Sequence, residues 1–469
     1  MPTAASPRKS LGLWSSTGLV AGNMIGSGIF LLPASLALYG PISLVGWVIT
    51  ATGALFLALV FANLGRAYPK TGGPYEYSRR AFGDFIGFQV AWGYWIAVWA
   101  GNAAIAVAAV AYAGEFWHTL SDEAIVGAAA AIACIWSLTL INLAGVKPGG
   151  QVSLLTTVLK IIPLLAIATV GLFYIDGANF SPFNASGDGW FSAVRAAAPL
   201  TLWAFIGLES ATVPAEDVEN PSRIIPLSTM LGTIVTTAIY ILSTVVVFGV
   251  IATPELAEST APFSDAAKSM WGSEFGRLVT IGAVISAYGC LNGWILLSAQ
   301  VPMAAARDGL FPSVFSRLNS RGAPVVGLVV SSALASGLVL TNYTSGLVDA
   351  FTEILLLATL TTLVPYAFSS MAQLLLLVSD REAFSAKNFV RDAVIAAVAF
   401  AYTMWAIEGA GQEVVFKGFL LILAGTPVYV GMRWYQLRKS APASQPATVP
   451  MGGAGVLAAR IDDEVSRGS

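Results

Sequence analysis

Runs of mostly apolar residues, parted by short polar or Gly/Pro-containing joints, recur along the whole chain. They lie near residues 11–36, 40–65, 84–114, 123–144, 150–175 and 191–213, and again near 224–253, 275–305, 324–341, 349–377, 391–409 and 412–437. About 20 apolar residues carry a helix across the hydrocarbon core, so the pattern predicts twelve crossings and an all-α multi-pass membrane protein. Two of the runs are interrupted, by Gly26-Ser27-Gly28 in the first and by Phe205-Ile206-Gly207-Leu208-Glu209 in the sixth. An unpaired backbone amide or carbonyl costs several kcal/mol in hydrocarbon. A membrane helix therefore unwinds only where a cavity or a ligand meets the freed groups, and paired breaks mark a binding site in a secondary transporter.

Crossings 1 and 6 are five segments apart, and an odd separation sends the two halves through the membrane in opposite senses. That is the 5+5 inverted-repeat arrangement. The first repeat is expected over about 11–175, with crossing 6 beginning before 213, the second over 191–377, and crossings 11–12 (391–437) fall outside both. Residues 1–10 form a short leading arm. Residues 440–469, rich in Ala, Pro, Ser and Gly with no apolar period, are expected to be a disordered tail.

Composition agrees with the pattern. The chain is 56% hydrophobic and 11% charged, against roughly 45–50% and about 25% for a soluble domain. The net charge of −2 decides little, because orientation follows the placement of Lys and Arg. With the amino terminus inside, 19 Lys and Arg fall in cytoplasmic loops and tails and only four (Arg195, Lys268, Arg277, Lys417) outside. Both termini are thus expected in the cytoplasm. Arg8 and Lys9 precede an apolar run with no small-residue cleavage site, so no cleavable signal peptide is expected.

The chemistry-bearing residues cluster at the breaks. Around the first, Gly22-Asn23-Met24-Ile25-Gly26-Ser27-Gly28 supplies backbone amides in flexible conformations and a hydroxyl. The positive end of a second half-helix begins there, which suits a carboxylate; close packing of small residues is the other reading. Around the second break stand Trp203, Ile206 and Glu209. A carboxyl this deep is costly and marks a functional site, as a proton carrier or as a hydrogen-bond hub between helices. Tyr94, Trp95, Trp99 and Asn102 in crossing 3, with Asn292 and Trp294 in crossing 8, supply aromatic faces and amides. Such faces hold an organic cation without a buried counter-charge, or serve as interface anchors and packing.

Lys160 stands in crossing 5 among apolar neighbours with no loop near enough for snorkelling. It either stays charged against carbonyls freed at the first break, in place of a coupling cation, or gives up its proton. The polar stretch 66–83 is an internal gate or a well-capped connector. Cys134 and Cys290 lie in apolar runs and read as small core residues. His118, the sole histidine, falls in an external loop, which leaves none for a proton relay within the membrane. No P-loop, H-E-x-x-H or Cys/His metal spacing occurs; no enzyme activity, cofactor, metal or nucleic-acid partner is expected.

The motifs Gly22-Asn23-Met24-Ile25-Gly26-Ser27-Gly28, Gly72-Gly73-Pro74-Tyr75 and Trp203-Ala204-Phe205-Ile206-Gly207-Leu208-Glu209-Ser210-Ala211 resemble those of the amino acid–polyamine–organocation transporters. Val218-Glu219-Asn220-Pro221-Ser222-Arg223, Pro262-Phe263 and Asp308-Gly309-Leu310-Phe311-Pro312 add to the likeness, which covers roughly 11–437 and is strongest to the bacterial basic amino acid/polyamine antiporters, such as the arginine/agmatine and putrescine/ornithine exchangers. The resemblance implies alternating-access exchange of an amino acid or its decarboxylated amine across a bacterial inner membrane, and leaves a homodimer open. It assigns Asn23, Ile25, Gly26, Ser27 and Gly28 to the substrate's carboxylate or backbone. Ala97, Asn102, Ile105, Trp203, Ile206, Trp294 and Ala358 then fall to its side chain and head group, Tyr94, Trp294 and Glu209 to gating, and Lys160 and Glu209 to coupling. Three positions depart from the antiporters. Ala358 replaces a serine for a guanidinium, with Thr359, Thr361 and Thr362 nearby; Ile105 replaces a methionine; and Lys160 is a feature of proton-coupled carriers of neutral amino acids. Proton-coupled uptake of neutral amino acids is therefore the second expectation.

Overall fold

Helices fill the apolar runs, and among the described residues no strand forms beyond an isolated bridge between Leu11 and Val218. The computed structural model describes residues 11–440 except 71, 145–160, 214, 216–217, 343–346 and 381–387, with the backbone alone at 27, 28, 342, 347, 439 and 440. The first half comprises α1 (Leu13–Met24), α2 (Ser27–Ala37), α3 (Ser43–Ala67), α4 (Pro74–Phe82), α5 (Asp84–Gly114), α6 (Thr119–Asp122), α7 (Ala124–Leu143) and α8 (Ile161–Tyr174). There follow α9 (Trp190–Trp203), α10 (Pro221–Val250), α11 (Thr253–Glu258), α12 (Pro262–Trp271), α13 (Ser273–Arg307), α14 (Val325–Asn342), α15 (Leu347–Ser379), α16 (Phe389–Gly409), α17 (Gln412–Leu423) and α18 (Gly425–Ser440).

Among the described residues nine stretches are long and apolar enough to cross a membrane, with α1 and α2 taken together as Leu13–Ala37 and the last as Gln412–Arg438. The expected crossings 5, 6 and 9 are shorter for two reasons. Residues before Ile161 and just after Asn342 lie outside the described set, and α9 stops at the break.

Burial sorts the helices. α5 is apolar on all sides and buried from Gly87 to Tyr112 except at Trp92, as expected of a helix at the centre of a bundle; α13 and α15 pack along it. At the rim, Ile125 and Leu140 of α7 and Phe416 and Phe419 of α17 are more than half exposed. Apolar surface turned outward on this scale is stable only against lipid. Polar pairs tie the interior helices together: Trp95 Nε1 donates to Ser331 Oγ (2.8 Å), Thr139 and Ser332 share a hydroxyl contact (2.6 Å), and Asn142 Nδ2 donates to Asn292 Oδ1 (2.8 Å).

The chain divides into two compact units at Thr426. Of the second, residues 427–440 are described, all helical; there the Arg433 guanidinium lies 5.7 Å from the Tyr429 ring and that of Arg438 4.6 Å from the Trp434 ring.

Candidate functional site

The two breaks meet. Between α1 and α2, Ile25 (φ −73°, ψ 84°) and Gly26 (φ −119°, ψ −153°) leave helical geometry. After α9 the chain turns at Gly207, whose φ of +112° is a region L side chains rarely adopt. A Cβ built on Gly207 would lie 3.1 Å from both the carbonyl carbon and the Cβ of Asn23 and 3.2 Å from Met24 N, so glycine is what lets the two backbones touch. Asn23 Nδ2 donates to Ser210 Oγ at 2.9 Å and fastens the breaks to each other.

The protein itself meets some of the freed carbonyls. Tyr240 Oη donates to Met24 O at 2.5 Å, and Trp294 Nε1 points to Asn23 O at 3.4 Å. Behind the second break Trp47, Phe205 and Tyr240 pack with centroids 5.6–6.1 Å apart. On its other side the first break is propped by α13, because a Cβ on Gly26 would fall 2.4 Å from Cys290 Sγ. Cys134 and Cys290 both keep their thiols.

Beside this junction lies a narrow cavity of about 20 Å³, lined by Ala97, Val98, Gly101 and Ile105 of α5, by Trp203 and Ile206 at the second break, and by Trp294 of α13. Tyr94 and Thr362 complete the lining, whose surface is almost wholly apolar. The volume is far below the roughly 300–1,000 Å³ of small-molecule sites, so the chamber is closed down on its side chains. Trp203 closes tightly over α5, where a Cβ on Gly101 would sit 2.8 Å from its Cη2.

Glu209 is fully buried behind the cavity. Its Oε1 accepts from Tyr94 Oη (2.5 Å), and its Oε2 accepts from Tyr366 Oη (2.5 Å) and from the Gly207 amide (3.1 Å). Of the two expectations for this carboxyl, the hub is the one visible here: it joins α5, the second break and α15.

Six of the residues named from the sequence thus share one chamber: Tyr94, Ala97, Ile105, Trp203, Ile206 and Trp294. Asn23, Ile25 and Gly26 form the adjoining break rather than the lining, and Ser27 and Gly28 begin α2. Asn102 is buried with Oδ1 unpartnered and does not line the cavity. Ala358 is fully buried outside the lining, and Thr362, one turn further, takes that place. Trp95 packs against Trp92, Phe311 and Phe315, and Asn292 ties α13 to α7. Lys160 lies outside the described residues. Tyr366, Tyr240 and Gly101 were not singled out from the sequence; a tyrosine following Pro365 in an apolar run is a faint local signal for the first, and the other two have none.

Side chains within the stretch 66–83 engage other parts of the chain. Tyr75 Oη donates to Asp308 Oδ2 (2.8 Å), and Arg79 reaches Asp308 (3.0 Å) and Asp84 (3.0 Å). Tyr68 Oη donates to Asp380 Oδ2 (2.9 Å), which Arg80 also approaches (3.4 Å). Burial, then the Asp380 carboxylate, push the Tyr68 hydroxyl up to about 12, so it stays a donor at neutral pH. Burial and Asp308 raise Tyr75 in the same way.

At the far end of α5, about 46 Å away at 1.5 Å per residue, Lys268 contacts Glu115 and Asp265. Burial opposes the Lys268 charge, and the two carboxylates more than offset it. Tyr112 Oη there donates to Phe30 O (2.6 Å) and accepts from Phe263 N (3.3 Å).

Asp308→Asn is expected to weaken the contacts of both Tyr75 and Arg79. For a carboxylate about one-third exposed the effect is discounted to about 1 kcal/mol, a loss of about fivefold in exchange rate measured in proteoliposomes. A loss that does not shrink at high salt would show that the contact is not electrostatic.

The site can be set beside known proteins. Residues 11–430 match the family model described as amino acid permease. Over 420 residues the chain is 34% identical to the putrescine transporter PotE of Haemophilus influenzae, covering 89% of this chain and 96% of that protein. The putrescine transporter PotE of Escherichia coli K12 is 35% identical over the same length, with 89% and 95% covered. The cadaverine/lysine antiporter of Escherichia coli K12 is 39% identical over 373 residues, covering 78% of this chain and 83% of that protein. A bundle with lipid-facing apolar flanks, two apposed helix breaks and these relatives leads to one conclusion: the chain belongs to the amino acid permease family, as a membrane transporter of its basic amino acid/polyamine antiporter branch.

Proposed function

We propose that the chain exchanges a cationic amino acid, or the amine left by its decarboxylation, across a bacterial inner membrane by alternating access between inverted repeats, with both termini in the cytoplasm. The observation that carries the substrate class is the lining itself, in which Tyr94, Trp203 and Trp294 supply aromatic rings and no side chain is charged. The hydroxyl protons of Tyr94 and Thr362 are taken up by Glu209 and, at 2.9 Å, by Ala358 O. Aromatic faces without fixed charge suit an ammonium, which brings a positive charge. In this reading the amides at the start of α2 receive a carboxylate when the substrate carries one. The putrescine and cadaverine/lysine relatives support the same class.

The test is counterflow in proteoliposomes with putrescine, cadaverine, lysine, arginine and leucine. Trans-acceleration by internal amine or basic amino acid is expected; acceleration by leucine alone would sink the reading. Trp294→Leu is expected to weaken a diamine by about 25-fold, from about 2 kcal/mol for a desolvated cation–π contact, and a neutral amino acid far less. Equal losses would assign Trp294 to packing.

A further inference from the structure

Glycine weakens a helix interior relative to alanine, so a glycine near the middle of a buried helix needs a reason. At Gly101 of α5 the reason is Trp203. A Cβ there would lie 2.8 Å from Trp203 Cη2 and 3.3 Å from its Cζ3, inside the roughly 3.5–4.0 Å at which carbon atoms rest against each other. Among the described residues those two ring atoms are all it would meet outside the backbone of its own helix. Gly93, earlier on α5, has nothing nearer than 3.6 Å, so alanine would fit there. The indole of Trp203 thus rests on bare main chain at Gly101.

The contact joins an unbroken element to a broken one. Gly101 lies within α5, Trp294 within α13 and Thr362 within α15. Trp203 is the last residue of α9, and beyond it the Phe205 and Ile206 amides donate to Leu202 O (2.8 Å) and Trp203 O (3.2 Å), as in tight turns rather than an α-helix. Of the lining, only Trp203 and Ile206 stand at a break, and Trp203 has the larger side chain. With the ring in this place the chamber measures about 20 Å³, room for about one water molecule. An amine or amino acid and the seated ring exclude each other.

We propose that Gly101 is a seat for Trp203 that holds the chamber shut in competition with the substrate, so that this glycine sets the affinity; this rests on the transport reading above. Gly101 is a positioning residue, because it acts through the indole ring. The apparent dissociation constant is the intrinsic one divided by the fraction of chains whose ring is lifted, and a seat without a side chain keeps that fraction small. Retreat of the ring from 2.8 Å to about 3.5 Å brings a methyl at position 101 to ordinary contact. An added methyl therefore penalises the seated ring and spares the lifted one. A carrier has to release its cargo, and closure of the ring onto Gly101 supplies part of the drive that expels it.

A role in packing alone makes the opposite forecast. Trp203 and Gly101 are both buried, and an extra methyl in a filled interior forces its neighbours out of place. Under that reading alanine lowers stability and weakens binding. Tighter binding from the same substitution is a result that only the seat produces.

The test is equilibrium binding of labelled putrescine to the purified full chain. Gly101→Ala is expected to tighten binding about fivefold, the low end of a coupling between two arrangements; unchanged or weaker binding overturns the seat. Gly93→Ala is the control and should stay within about twofold, since its methyl meets nothing closer than ordinary contact. Equal tightening in both overturns the seat as well, by assigning the effect to helix propensity. Fluorine NMR of the chain carrying 5-fluorotryptophan follows the ring itself, with the Trp203 resonance identified by its loss in Trp203→Phe. Putrescine should move that resonance in the unaltered chain, so the test stands even where Gly101→Ala does not fold, and an unmoved resonance overturns the proposal. If the unaltered chain binds leucine but none of putrescine, cadaverine or lysine, the cationic-substrate reading fails instead, and the leucine affinities of the same variants judge the seat.

Discussion

Glu209→Gln is expected to cut exchange by at least a hundredfold while leaving the protein folded and inserted. The carboxyl accepts from Tyr94, Tyr366 and the Gly207 amide at 2.5, 2.5 and 3.1 Å. A carboxamide keeps one acceptor oxygen and puts N–H donors in place of the other, against a phenol that is itself donating. Hydrogen bonds to a charged partner are worth about 1.5–3 kcal/mol each, and one mismatched contact together with the charge lost from the others exceeds the roughly 2.8 kcal/mol that a hundredfold represents. Counterflow rates alongside a thermal melt separate the two ways of failing: a preserved melt with lost exchange supports the hub, and near-normal exchange refutes it. Tyr94→Phe and Tyr366→Phe each remove one donor, so each should cost less than the glutamine, and their joint effect should fall short of the sum because they share one carboxyl.

Gly207→Ala is the second large effect. The new methyl meets two penalties together, a φ of +112° and contacts of 3.1–3.2 Å with the main chain at Asn23 and Met24. Strain of this kind costs about 1–3 kcal/mol, and the opposing atoms are backbone and cannot swing aside. Prising the breaks apart also weakens the Asn23–Ser210 contact, so substrate-stimulated exchange should disappear. Gly187→Ala is the control, with φ of +76° and nothing within 4 Å of the added carbon. Equal damage from both would assign the effect to backbone conformation alone and remove the apposition of the breaks from the explanation.

The breaks were legible because a glycine and a carboxyl inside an apolar run are local signals, readable without knowing what packs against them. Tyr366 was not, since it lies 157 residues from Glu209 and only the fold brings them together. The exchange of Ala358 for Thr362 is a register effect: positions one turn apart share a helix face, so sequence alone does not say which of them reaches the chamber. α5 posed the hardest case. On a helix buried all round, no apolar period distinguishes residues facing the cavity, such as Tyr94 and Ala97, from Trp95 and Asn102, which face packing.

The contacts at the two ends of α5 are made together. Arg79 and Tyr75 hold Asp308 at one end while Tyr112 holds Phe30 and Phe263 at the other, with the chamber between them lined by buried side chains. Under the exchange proposed above, an arrangement held at both ends is expected to deny small ions a route past the solute, so that a cell bearing the protein keeps its ionic gradients.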